Sequence, residues 1–368
     1  MTATVEPAAH APAWVRDIAP YLPGKPVEEL AREFGLDPAS IVKLASNENP
    51  LGMSPRARVA VEQAIAGIER YPDQFDLIKA LADRTRLAQE QIVLGNGSND
   101  VLDLAARVFL APGRSAVMAQ HAFAVYPLAT VSTGAECIVV PAKHYGHDLD
   151  AMLAAIRSDT RLVWIANPNN PTGNFLPYSE IKAFLAKVPA AVAVVLDEAY
   201  TEYLAPADRV DTLSWIRDFP NLIVTRTFSK VYGLAGLRVG YAAASPAVAD
   251  LMNRVRQPFN VNNLALAAAI AALDDHVFLA ESYQLNRRGM EQLVTGIKRL
   301  GLEHIPSHGN FVTFKVSDGG AVNQKLLRQG VIVRPIGGYG LPNHLRVTIG
   351  LERENVCFLQ ALEQALNA

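Results

Sequence analysis

Cysteine is nearly absent: Cys137 and Cys357 are the only two in 368 residues, and no CxxC occurs. A disulfide framework and a cysteine-built metal site are therefore not expected, and no other metal site is read from the sequence. An excess of either charge is lacking as well. The formal net charge is −2, from 34 Lys and Arg against 36 Asp and Glu, and no basic stripe interrupts the mixture. Neither nucleic acid nor an anionic membrane is expected as a partner. Long apolar runs are missing too. The stretch LALAAAIAAL at 264–273 stops at Asp274 and Asp275, so it reads as a buried helix too short to span a bilayer. The opening MTATVEPAAHAPAW has neither the charged start nor the apolar centre of a signal peptide, which makes the cytoplasm the expected compartment.

What is present describes an ordinary globular chain, 50% hydrophobic and 19% charged, long enough for two domains. The first forty-odd residues are rich in Pro and Ala, and PYLPGKP at 20–26 reads as an extended arm. From there to Pro258, short apolar runs alternate with helix-like stretches: IVL at 92–94, SAVMA at 115–119, ECIVVP at 136–141, RLVWIA at 161–166, AAVAVVL before Asp197, LIVTR at 222–226 and GYAAA at 240–244. Seven strands in that rhythm predict a mainly parallel sheet, with helices on both faces, in a three-layer α/β/α large domain. After Pro258 a long helical stretch precedes FVTFKV, VIVRP and HLRVTIG, which predicts a smaller α+β C-terminal domain. The expected division is an N-terminal arm at 1–42, a large domain at 43–258 and a small domain at 259–368.

In open α/β sheets ligands bind beyond the carboxyl ends of the strands, and four polar segments fall there. GNGSND at 95–100 follows the first strand, NPNNPTG at 167–173 the fourth, DEAY at 197–200 the fifth and TFSK at 227–230 the sixth. Each alone admits a purely structural reading: a capped turn, a proline-locked loop, an ion pair, a surface lysine. GNGSND lacks the third glycine of a dinucleotide fingerprint, which counts against a nicotinamide-dependent oxidoreductase. It does offer a close backbone approach and a helix N-terminus near Ser98 and Asn99, both suited to phosphate. Asp197 ends a strongly apolar strand, where a carboxylate without a cationic or hydrogen-bonding partner is costly. Together the segments gather the amine of Lys230, the acid of Asp197, the phenol of Tyr200, the amide of Asn170, the hydroxyls of Ser98 and Ser229, and Arg238. One ligand satisfies that set: pyridoxal phosphate, a phosphorylated aromatic aldehyde whose ring nitrogen needs an acid.

SNENPLG, NPNNPTG, DEAY and TFSKVYGLAGLRVG, in this order, resemble the fold-type I pyridoxal-phosphate aminotransferases, over most of the chain from about Tyr21 onward. Within that family, PYLPGKP, LASNENPLG and RYPD resemble the branch that acts on histidinol phosphate. The resemblance implies a Schiff-base role and proton transfer for Lys230, and a ring-nitrogen partner in Asp197. It implies that Tyr200 and Asn170 meet the ring's phenolic oxygen and that Phe123 lies on the ring face. Ser98, Asn99, Thr227, Ser229 and Arg238 would surround the phosphate. Tyr71 would reach the phosphate from the neighbouring subunit of a homodimer with shared active sites, and Tyr21 would likewise cross to the neighbour's substrate. Asn49 would contact substrate, Arg346 the carboxylate of glutamate or 2-oxoglutarate, and Arg334 the substrate phosphate. Phe123 stands where some members carry tyrosine, so stacking is kept and a hydroxyl is lost. The implied activity is transamination between histidinol phosphate and 2-oxoglutarate in histidine biosynthesis, with an aromatic amino-acid aminotransferase as the alternative.

Overall fold

A computed structural model describes residues 6–21 and 23–367. The few remaining residues of the expected arm and small domain, 1–5, Leu22 and Ala368, lie outside the described residues.

Strands are numbered along the chain. β1 (Val42–Lys43) stands apart from the seven that follow the predicted runs: β2 (Ile92–Gly95), β3 (Ser115–Ala119), β4 (Glu136–Val140), β5 (Thr160–Ala166), β6 (Ala193–Asp197), β7 (Leu222–Thr227) and β8 (Gly240–Ala243). They form one sheet in the order β2-β8-β7-β6-β5-β3-β4. β8 is antiparallel to both neighbours, whereas β3 to β7 run parallel. Successive residues of a strand point to opposite faces, and here both faces are covered. Val195 and Trp164 join one buried cluster, while Val194, Leu196, Val163 and Ile165 join the other. That double burial is why the runs are continuously apolar instead of alternating.

The helix Asn263–Leu273 is the buried apolar stretch expected from the sequence. It packs Ala265, Leu266 and Ala269 with Ala57 of the helix Pro55–Ala64. Among the described residues no single helix is long and apolar enough to cross a membrane.

The second unit is built on a four-stranded sheet in the order β12-β13-β10-β9: β9 (His304–Ile305), β10 (Phe311–Lys315), β12 (Arg334–Pro335) and β13 (His344–Thr348). Its neighbours pair antiparallel. The helices His276–Arg299, Gly319–Arg328 and Glu352–Asn367 cover it, burying Leu293, Ile297, Phe314, Leu345 and Phe358.

The N-terminal boundary differs from expectation. β1 pairs in parallel with β11 (Val331–Ile332), and Leu44 lies in the second unit's core. The helix Val27–Phe34, inside the expected arm, buries Leu30 with Leu327 and Ile332. By packing, residues 27–47 therefore join the second unit, and an arm-to-domain border at 42–43 cuts through a strand. The reason is physical: an amphipathic helix must bury its apolar face, and its partner lies about three hundred residues further on.

Candidate active site

The carboxyl ends of β2, β5, β6 and β7 open on one cavity, roofed by β12 and β13 of the second unit. Ser98, Asn99, Phe123, Asn170, Asp197 and Tyr200 line it from one side. Thr227, Ser229, Lys230 and Arg238 line it from the β7–β8 connection, and Tyr21, Arg334 and Arg346 from the roof.

Lys230 follows β7 in a tight bend closed by bonds from Phe228 N–H to the Val239 carbonyl and from Gly233 N–H to the Lys230 carbonyl. Gly233 has φ 69° and passes the backbone of Gly52 so closely that a Cβ would collide with its carbonyl, so only glycine fits there. The Lys230 Nζ donates to the Ser46 carbonyl at 3.2 Å and stands 5.7 Å from the Tyr200 ring centroid. Burial, reinforced by Arg346 and Arg238 and opposed by Glu48 and Asp197, pushes its pKa down to about 8. A lysine so placed is partly neutral near physiological pH, as a nucleophilic amine must be.

Asp197 is 5% exposed. Its Oδ2 accepts from the Tyr126 hydroxyl at 2.8 Å and its Oδ1 from the Thr225 hydroxyl at 3.1 Å. Burial raises its pKa, and these donors oppose the rise. Among the described residues no Lys, Arg or His forms an ion pair with it. The partners it needs are present, but they are neutral. A buried carboxylate held only by neutral donors, facing a cavity, suits a cationic N–H of a ligand.

The helix Ser98–Phe109 begins at Gly97, which offers no side chain to cap it. Its first N–H groups are left for a ligand, at the positive end of the helix dipole. Gly97 has φ 82°, and a Cβ there would strike the Arg238 guanidinium. Arg238 donates to Ser229 Oγ at 3.3 Å and to the Ala235 carbonyl at 3.0 Å. Uncapped amides, a guanidinium and hydroxyls make a phosphate cradle, and with the acid and the amine they fit pyridoxal phosphate.

In the roof, Arg346 is 6% exposed. Its Nη1 donates to Asn170 Oδ1 and its Nη2 to the Ala45 carbonyl at 2.7 Å. The first bond fixes the Asn170 amide with its NH2 side free. The Nε of Arg346 is buried without a partner, and an unmatched donor on a buried cation calls for an anionic group. Arg334 sits opposite Arg346 in the β12–β13 register, with the Tyr21 ring 5.2 Å from its guanidinium carbon.

Two expected placements change. Tyr21, expected at a neighbour's substrate, lines the cavity of its own chain, against Arg334. Asn49 is outside the cavity with its amide fully used: Nδ2 donates to the Val231 carbonyl at 2.7 Å and to Ser282 at 2.8 Å, and Oδ1 accepts from Leu51 N–H. It holds the backbone just past Lys230, and both of its N–H donors are committed within the fold. Tyr71, expected at a neighbour's phosphate, lies outside this chain's own cavity, 81% exposed and stacked on Phe259 with centroids 4.5 Å apart.

Two partners escaped the sequence reading. Tyr126, fully buried and stacked on Trp164, is three residues past Phe123 and meets its ring edge-on at 5.7 Å, a spacing visible in HAFAVY. Asn47 donates to the Tyr200 hydroxyl at 2.9 Å, and nothing in its motif singles it out.

Comparison with known proteins agrees with this geometry. The profile of the family described as "Aminotransferase class I and II" matches residues 39–360. Histidinol-phosphate aminotransferase 1 of Dechloromonas aromatica (strain RCB) is 75% identical over 98% of this chain and 99% of its own length. Histidinol-phosphate aminotransferase 1 of Thiobacillus denitrificans (strain ATCC 25259 / T1) is 61% identical over 98% of this chain and 94% of its own. The crystal structure of histidinol-phosphate aminotransferase from Sinorhizobium meliloti in complex with pyridoxal-5'-phosphate superposes with a TM-score of 0.90 at 29% identity, covering 96% of this chain and 97% of that one.

Proposed function

Because the chain belongs to the class I and II aminotransferase family, we propose that it moves an amino group between L-histidinol phosphate and 2-oxoglutarate, a step of histidine biosynthesis, in the cytoplasm. Pyridoxal phosphate is the cofactor. When bound, it supplies an electrophilic carbonyl carbon and an electron-withdrawing ring that acidifies the substrate's α-proton.

Each residue has a part. Lys230 would hold the cofactor through its amine and would move the proton at the substrate's α-carbon. Asp197 holds the ring N–H, kept in place by Tyr126 and Thr225. Tyr200 and Asn170 donate to the phenolic oxygen, and Phe123 covers the ring face. The amides of Ser98 and Asn99, with Thr227, Ser229 and Arg238, hold the phosphate.

The two substrates differ at one end, and so do the roof cations. Glutamate carries an α-carboxylate, which the cavity-lining guanidinium of Arg346 takes. Histidinol phosphate has no carboxylate and places its phosphate by Arg334 and Tyr21. Tyr71 completes the phosphate cradle of a second copy in a homodimer.

The observation that carries this reading is the meeting of the Lys230 amine, the cation-free acid of Asp197 and the uncapped helix of Ser98 in one cavity under two arginines. Its test is a single-turnover spectrum. L-histidinol phosphate should bleach the visible band of the loaded enzyme and 2-oxoglutarate should restore it. Bleaching by phenylalanine or tyrosine alone would transfer the assignment to aromatic amino acids.

A further inference from the structure

Asn47 uses every polar group it has, and one of its bonds spans the boundary between the two units. Its N–H donates to Thr348 Oγ1 at 2.9 Å, its carbonyl accepts from Asn310 Nδ2 at 2.9 Å, and its Oδ1 accepts from the Thr348 hydroxyl at 3.2 Å. Thr348 ends β13 and Asn310 directly precedes β10, so all three bonds run to the second unit. The fourth crosses over. Nδ2 donates to the hydroxyl of Tyr200, just beyond β6 in the large unit, at 2.9 Å. Asn47 is 1% exposed and left-handed at φ 56°, a backbone that asparagine tolerates better than most residues.

We propose that Asn47 is a positioning residue that couples the seating of the second unit to the phenol of Tyr200. The inference rests on the reading above that Tyr200 meets the cofactor's phenolic oxygen. A phenol oxygen that accepts an N–H cannot aim its own proton along that direction, so the O–H is left to point elsewhere. Accepting a bond also makes the phenol a better donor, because linked hydrogen bonds polarise one another. Three bonds fix Asn47 to the second unit and only one reaches Tyr200. If the second unit shifts, Asn47 travels with it and Tyr200 loses its orienting partner. The other groups facing Tyr200 are Lys230, Asp197, Arg346 and Tyr339, with the edge of Phe311 at a centroid distance of 5.4 Å, and the variants below leave all of them in place.

The experiment is a pH titration of the visible band of the cofactor-loaded enzyme, whose pKa reports the lysine linkage. A phenol donating to the ring oxygen favours the deprotonated linkage, so a weakened donor raises that pKa. Tyr200→Phe should raise it most. Asn47→Gly, which suits the left-handed backbone, should raise it by about half a unit to one unit, within the range one lost hydrogen bond produces. Thr348→Val keeps the amide but loosens its hold, and should move the pKa less in the same direction. In the Tyr200→Phe background, Asn47→Gly should add nothing. An unchanged pKa in both Asn47→Gly and Thr348→Val, beside a clear shift in Tyr200→Phe, overturns the coupling and leaves the role of Tyr200 standing. A full Asn47→Gly shift that persists without the phenol also overturns it. No shift in Tyr200→Phe removes the role of Tyr200, and the inference with it.

Discussion

The phenol of Tyr126 donates to Asp197 Oδ2 at 2.8 Å, flat against the ring of Trp164, whose plane lies within 3° of its own. The acid that closes β6 is thus held from the helix Val125–Ser132 as well as from the neighbouring strand.

Tyr126→Phe keeps the stacked ring and deletes the hydroxyl. A hydrogen bond to a charged group contributes about 1.5–3 kcal/mol, so cofactor affinity should fall by roughly tenfold or more. Equilibrium titration of cofactor-free protein measures it. Wild-type affinity in the variant would show that Asp197 is positioned without Tyr126.

The Lys230 amine, held down to about 8 from the usual 10.5, links folding to pH. Between those values the unfolded chain keeps a proton that the folded chain has released, so stability climbs with pH through that window. Below about 8 both states are protonated and the folded state bears the full cost of the buried charge. Cofactor-free Lys230→Met should therefore resist urea better than the parent at pH 7, with the gap closing toward pH 10. A gap constant across that range would show that the amine is not desolvated.

Arg346→Lys removes the unpaired Nε and the planar fork while keeping a charge. We expect KM for glutamate to rise about a hundredfold, as for a lost buried charge-paired contact. KM for histidinol phosphate should change less than about tenfold, because that substrate carries no carboxylate. Steady-state kinetics of the two half-reactions separates the cases, and equal losses in both would point to a general disturbance through Asn170.

Glu198, wholly buried beside Asp197, accepts from Arg226 Nε and Nη2, from the Tyr178 hydroxyl and from Thr212. Glu198→Gln leaves the Arg226 guanidinium without its counter-charge, and breaking a buried pair typically costs roughly 3–5 kcal/mol. The midpoint of denaturant unfolding should drop accordingly. A drop well under 1 kcal/mol, as for a surface pair, would mean that Arg226 finds water or another partner.

Tyr71 and Phe259 stack in the open, 81% and 53% exposed. Phe259 is left-handed at φ 57°, so Phe259→Asp is tolerated by the backbone while placing charge on the apolar patch. Sedimentation velocity should show a dimer for the parent and a monomer for the variant, with weaker phosphate affinity in step. An intact dimer would locate the subunit contact elsewhere.

The seven strands of the large sheet could be read from the chain because each is a short, mainly apolar run, buried in all but the edge strand β4. The reversal of β8 was not read, since apolarity carries no direction; the glycine-rich link from β7, too broken for a crossover helix, was the available sign. The residues that line the cavity could be read because most of them sit just past a strand end. Asn47 was not, because its partners lie 153 and 301 positions away. Nor was the misplaced arm boundary, for the same reason: β1 finds its partner only at β11. Asn49 illustrates the opposite error. It shares a motif with site residues, yet its amide is spent on the Val231 carbonyl.

The turn-back of the chain at β8 has a consequence for engineering. Thr227 and Gly240 face each other in the β7–β8 register, so Lys230 and Arg238 occupy the two limbs of one closed loop. Its length acts as a gauge, setting how far the reactive amine stands from the anchor at the far end of the same ligand. Inserting or deleting a residue between them would keep every functional group and still put the two out of step. Redesign of this enzyme for other substrates is therefore better directed at the roof strands, outside that loop.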